Sequence, residues 1–90
     1  GARIRKSLVF NNCKIHSHCD IYESLILPEC EIHDGCTIRG AIIDRGSIIS
    51  EGTQIGVNHD DDRARGFRVT EGGHVLVTPD MLGQKLHITR

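Results

Sequence analysis

Cys13-Lys14-Ile15-His16 returns as Cys30-Glu31-Ile32-His33, and a thiol three residues ahead of an imidazole is a spacing that zinc sites use. Cys19 and Cys36 bring the thiols to four. One ion can collect such ligands only if they share a face. On an extended chain Cys13 and Ile15 point one way and His16 the other, so the thiols face inward when the imidazoles face outward. The residues therefore predict small buried thiols stacked in a core, and no metal site. Disulfides are not expected, because nothing marks the chain for secretion and a reducing cytoplasm keeps thiols free. Other groups able to do chemistry are His16, His33, His59 and His74, candidates for the general base of an acyl transfer. The acid run Asp60-Asp61-Asp62 lacks companion carboxylates at calcium-loop spacing. It suits the first turn of a helix capped by Asn58.

These residues sit in a repeat. Residues 13–29, 30–46 and 47–63 align at a period of 17, with Ile15, Ile32 and Ile49 in one column. Ile4, Ile21, Ile38 and Ile55 form a second column, and Val9, Ile26 and Ile43 a third. Small residues precede most of them by two places, as in Cys13, Cys30 and Ser47 or Ser7, Ser24 and Ala41. The aliphatic steps are six, six and five residues, so each coil holds three short strands. The expected fold is all-β, a triangular parallel β-helix of hexapeptide repeats whose coils bury their apolar faces on one another. The crossover rule alone would favour a right-handed connection.

Ninety residues make one domain, with coils over residues 1–57 and a tail over 58–90. Aromatics at 3% fit a thin core of Ile and small side chains. A net charge of −1 with scattered Lys and Arg excludes a nucleic-acid footprint. No apolar run approaches membrane-spanning length. The chain opens Gly-Ala-Arg with the repeat already running at Ile4, which reads as the C-terminal piece of a longer protein. Two outer faces are polar. The third carries Leu8, Leu25 and Ile42, flanked by Phe10 and Leu27, and an apolar column of this kind is expected to be covered by the tail, another domain or another subunit. In the tail, Phe67–Thr70 and His74–Thr78 flank a Glu71-Gly72-Gly73 turn and read as a β-hairpin. Thr78-Pro79-Asp80 reads as the start of a short helix closing the solenoid's end, which Gly83 keeps brief.

Several segments are specific. Ala41-Ile42-Ile43-Asp44-Arg45-Gly46, Ile49-Ser50-Glu51-Gly52-Thr53-Gln54-Ile55-Gly56 and Ser24-Leu25-Ile26-Leu27-Pro28-Glu29 resemble coils of bacterial glucose-1-phosphate adenylyltransferase (ADP-glucose pyrophosphorylase). Asp61 through Gly73, then Val75-Leu76-Val77-Thr78-Pro79-Asp80-Met81-Leu82, is similar to that family's C-terminus. The resemblance implies a left-handed helix. It also implies an N-terminal nucleotidyltransferase domain that makes ADP-glucose and pyrophosphate from ATP and glucose 1-phosphate with Mg for glycogen synthesis. The β-helix would join subunits into a homotetramer and share in allosteric control by phosphorylated small molecules such as fructose 1,6-bisphosphate and AMP. Arg45 matches a family residue at the effector phosphate site, and a guanidinium fork suits phosphate. Relatives can carry arginines where this chain has Pro79 and Gly83; Lys85 and Arg90 are the residues able to substitute. No cofactor is expected in the chain itself, and no catalysis, since the Gly-rich and acidic sequences of the catalytic domain are absent. The rival readings are a hexapeptide-repeat acyltransferase and a purely structural assembly solenoid.

Overall fold

Strands of two or three residues cannot stand alone, so each must find its backbone partners one coil away. The computed structural model, which describes residues 1–84, has this arrangement. The first coil holds β1 (Arg3–Arg5), β2 (Leu8–Val9) and β3 (Lys14–Ile15). The second holds β4 (Asp20–Tyr22), β5 (Leu25–Ile26) and β6 (Glu31–Ile32). The third holds β7 (Thr37–Arg39), β8 (Ala41–Ile43) and β9 (Ile48–Ile49), and β10 (Gln54–Ile55) starts a fourth. Three parallel sheets result, β1-β4-β7-β10, β2-β5-β8 and β3-β6-β9. Ile4, Ile21, Ile38 and Ile55 stand in register, as do Ile15, Ile32 and Ile49. The fold is the expected all-β parallel solenoid.

The aliphatic columns fill its interior. Ile21, Ile26, Ile32, Ile38, Ile43, Ile49 and Ile55 are all 0% exposed. Each such burial contributes about 1.5–3 kcal/mol. The first coil is different, because among the described residues no coil packs on its outer side: Ile4 is 43% exposed and Val9 38%. Between strands the chain turns through left-handed residues, at Lys6, Asn12 and His18, then Glu23, Glu29 and Gly35, then Gly40, Gly46 and Gly52. These three columns follow the same 17-residue period as the core.

All four thiols point inward and are free. Each donates to a carbonyl in the next coil: Cys13 to Leu27 at 3.1 Å, Cys19 to His33 at 3.1 Å, Cys30 to Asp44 at 3.0 Å and Cys36 to Ser50 at 3.1 Å. The thiols thus tie successive coils at their corners. Burial, the largest effect, pushes the Cys30 and Cys36 thiols above their ordinary value, so they remain protonated donors.

The tail ends the stack. Helix α1 (His59–Ala64) is capped by Asn58, whose side-chain oxygen accepts from the N–H groups of Asp60 and Asp61 at 3.0 and 3.2 Å. Strands β11 (Arg68–Val69) and β12 (Val75–Val77) form the hairpin. Beyond the expected hairpin, β12 lies parallel to β8, with Val75 opposite Ala41, Leu76 opposite Ile42 and Val77 opposite Ile43. It supplies the next rung of the second sheet, with Val75 and Val77 fully buried. Asp62, also fully buried, accepts from the Gly56 N–H at 3.1 Å and pairs with Arg65 at 3.1 Å. Arg65 in turn lies over the Phe67 ring and donates to the Gln54 carbonyl, closing the β10 edge.

The short helix expected from Thr78 is a single turn. The Thr78 hydroxyl accepts from the Met81 N–H at 3.3 Å, as a cap does. Gly83, at φ +74°, then ends it, with Gln84 N–H bonded to Pro79 C=O and Gly83 N–H to Asp80 C=O. That paired closure is a helix C-terminal motif arriving before a second turn can form. The chain next lays the Gln84 amide along β9, accepting from Ile48 N–H at 3.0 Å and donating to its carbonyl at 2.7 Å. One side chain does there what a further strand would do. No helix among the described residues is long and apolar enough to cross a membrane.

Candidate functional site

Arg45 occupies the corner between β8 and β9, where Asp44 turns the chain by accepting from the Arg45 N–H at 2.8 Å. Its Nε donates to Glu29 at 3.3 Å across one coil, and the two side chains are about half exposed. An ion pair this open holds the guanidinium only loosely. Among the described residues, Nε is the only side-chain atom of Arg45 that is engaged, and a half-exposed guanidinium is a planar fork of the kind that suits an oxyanion. Gln84 is pinned to Ile48, three residues further along this corner. Lys85 and Arg90, expected as further phosphate ligands, lie outside the described residues.

The apolar column is on the outer face of the second sheet. Leu8 stands opposite Leu25, Leu25 opposite Ile42, and Ile42 opposite Leu76 of β12. The hairpin therefore lengthens this column rather than covering it. Leu8 is 63% exposed and Phe10 43%, while Leu25, Leu27 and Ile42 are half-buried. A groove of roughly 590 Å³ runs along the column. Lys6 and Glu23 line it along with Thr70 and His74 of the hairpin loop. Its floor is apolar and its rim polar, the anatomy of a surface that packs against another.

The histidines divide by location. His74 is on the groove's rim, and His59 opens α1 next to Gly73. His16 and His33 stack on the outer face of the third sheet, 4.7 Å apart and 14° from parallel, with Glu31 bonded to His16 at 3.1 Å. The hydrogen bond from His16, then the charge of His33, holds the Glu31 carboxyl below its ordinary value. No connection between successive strands from β1 to β10 is longer than four residues. No long loop among these coils shelters an acceptor site of the acyl-transfer kind beside any of these imidazoles.

The chain is similar to glucose-1-phosphate adenylyltransferase 2 of Pseudoalteromonas atlantica, at 60% identity over 98% of this chain and 21% of the relative. It is 53% identical to glucose-1-phosphate adenylyltransferase of Shewanella sp. strain ANA-3, over 92% of the chain and 20% of the relative. With the Shewanella amazonensis protein of the same name identity is 48% over the same shares. The chain thus spans about a fifth of the length of these curated relatives. The hexapeptide family described as "GlmU-like, C-terminal hexapeptide" matches residues 1–77, the whole stack of coils through the last strand β12. By its repeat, its three parallel sheets and this match, the chain belongs to the GlmU-like C-terminal hexapeptide family.

Proposed function

We propose that this chain is the regulatory and subunit-joining portion of a cytoplasmic glucose-1-phosphate adenylyltransferase, the enzyme that makes ADP-glucose from ATP and glucose 1-phosphate for glycogen biosynthesis. The observation that carries the reading is the continuous similarity to enzymes of that name over 98% of the chain. In this reading catalysis, with its Mg and ATP, belongs to an N-terminal domain, and the coils hold that domain and the other subunits of a homotetramer. The groove along Leu8, Leu25 and Ile42 supports the joining role, since it offers an apolar floor about three rungs long. The half-exposed guanidinium of Arg45 supports the regulatory role, with a phosphorylated small molecule as effector.

The test is made on the intact enzyme. It should form ADP-glucose and pyrophosphate from ATP and glucose 1-phosphate, and the 90-residue chain alone should not. Arg45→Ala should leave turnover without effector near wild type. A lost charge-assisted contact of about 1.5–3 kcal/mol would raise the effector concentration for half-activation about 10- to 100-fold. An intact protein without adenylyltransferase activity overturns the reading, and an unchanged effector titration removes Arg45 from the site.

A further inference from the structure

His16, Glu31 and His33 form the one group of metal-ligating side chains among the described residues whose donor atoms converge, all within 4.8 Å of one another. The parity argument against a metal site was made for thiol and imidazole of one coil, and it does not reach two imidazoles of the same parity in neighbouring coils. β3 pairs with β6 through Lys14–Glu31 and Ile15–Ile32, which places His33 directly above His16. Glu31 opens β6 and His33 follows that strand directly, two residues on and therefore on the same face. Its Oε2 reaches both rings, 3.1 Å from His16 Nε2 and 3.5 Å from His33 Nε2.

Those two distances match the edges of a metal polyhedron. With metal–nitrogen and metal–oxygen bonds of about 2.0–2.2 Å, tetrahedral ligand atoms lie about 3.3 Å apart. Two of the three edges are already at that length, and the third closes by turning two rings that are 40% and 38% exposed. We propose that His16 Nε2, Glu31 Oε2 and His33 Nε2 bind one late first-row divalent ion, with water in the fourth position. Two imidazoles and a carboxylate are a borderline donor set that suits Zn²⁺ and disfavours Mg²⁺ or Ca²⁺, which take oxygen ligands. The ligands come from two coils, so the ion fastens the exposed first coil to the second. The repeated Cys-x-x-His spacing thus marks a site without using a thiol.

The 90-residue chain is dialysed against Zn²⁺ alone, and bound metal and thermal unfolding are measured. One saturable equivalent per chain and a rise in Tm are expected. His16→Ala, His33→Ala and Glu31→Gln should each weaken binding at least tenfold with an unaltered circular dichroism spectrum, while Cys13→Ser binds as wild type. Co²⁺ should give absorption of a nitrogen–oxygen site without a thiolate charge-transfer band. Absence of saturable binding overturns the proposal. So does affinity unchanged in His16→Ala, or a thiolate band that Cys13→Ser removes.

Discussion

Gly56 and Gly52 share a backbone conformation but not their surroundings, and replacing each by Ala separates the two costs. Gly52 has φ +74° and no atom within 4 Å of where a Cβ would stand. Gly52→Ala therefore carries only the left-handed strain of an L-residue, about 1–2 kcal/mol, partly offset by the stiffer unfolded chain. Gly56 has φ +81°, and a Cβ there would overlap the Arg39 carbonyl oxygen and stand 2.9 Å from its carbon. Both partners are backbone, held together by the β7–β10 pairing, so no side chain can swing away. Relief requires lifting β10 off β7, which also pulls the Gly56 N–H from buried Asp62. Overpacking of about 1–3 kcal/mol and a charge-assisted bond of about 1.5–3 kcal/mol add to the strain. Gly56→Ala should lose about 4–8 kcal/mol, a large part of the total stability of a domain this size. Urea unfolding followed by circular dichroism reads both variants, with a far larger fall in midpoint for Gly56→Ala. Equal shifts would refute the claim that close backbone approach, rather than φ alone, requires glycine at 56.

Further expectations concern the core, the thiols and the apolar face. Ile32 is fully buried between coils, so Ile32→Ala should cost about 2–5 kcal/mol in denaturant melts. His33→Ala, on the outer face and without metal, should cost under about 0.5 kcal/mol; similar losses would place the register one residue out. Cys13, at the open end, should react first with a thiol reagent, and Cys30 and Cys36 only as the chain opens. Because burial raises those two thiols in the folded chain, the unfolded chain releases their protons first, and stability should fall as pH rises past about 9. A flat profile there, or rapid reaction of all four thiols, would refute their place in the core. The chain should self-associate, and Leu25→Glu should weaken this more than Thr37→Glu, as light scattering after size exclusion would show. A strict monomer at every concentration would remove the apolar column as an assembly surface.

Much of this was legible because the core repeats. Each of Ile15, Ile32 and Ile49 repeats the same local instruction, so one period assigns register throughout. Asn58 and the Glu71-Gly72-Gly73 turn announce themselves by local chemistry. What stayed hidden depends on distant pairing. Val75 meets Ala41 across 34 residues, two full periods, and nothing near Val75 signals its partner. The left-handed corners are disguised in the first coil by Lys6, Asn12 and His18, and only the third coil shows glycine at all three. The His16–Glu31–His33 cluster was missed because it runs diagonally between columns that were each read alone. The helix expected from Thr78 had a correct start signal, but Gly83 follows too soon for a second turn. Arg45's corner position is seen in the structure, whereas its phosphate role rests on likeness to relatives.

The tail alters what the far end of the solenoid can join. Beyond β9 and β10 the Ile48 N–H and C=O are engaged by the Gln84 amide and the Gln54 carbonyl by Arg65, and β12 is followed by the two-residue β11. A stack of coils is built from strand edges, and an open edge recruits further strands. With these groups held by side chains, an added coil gains few backbone bonds there, so growth from that end into fibres is discouraged.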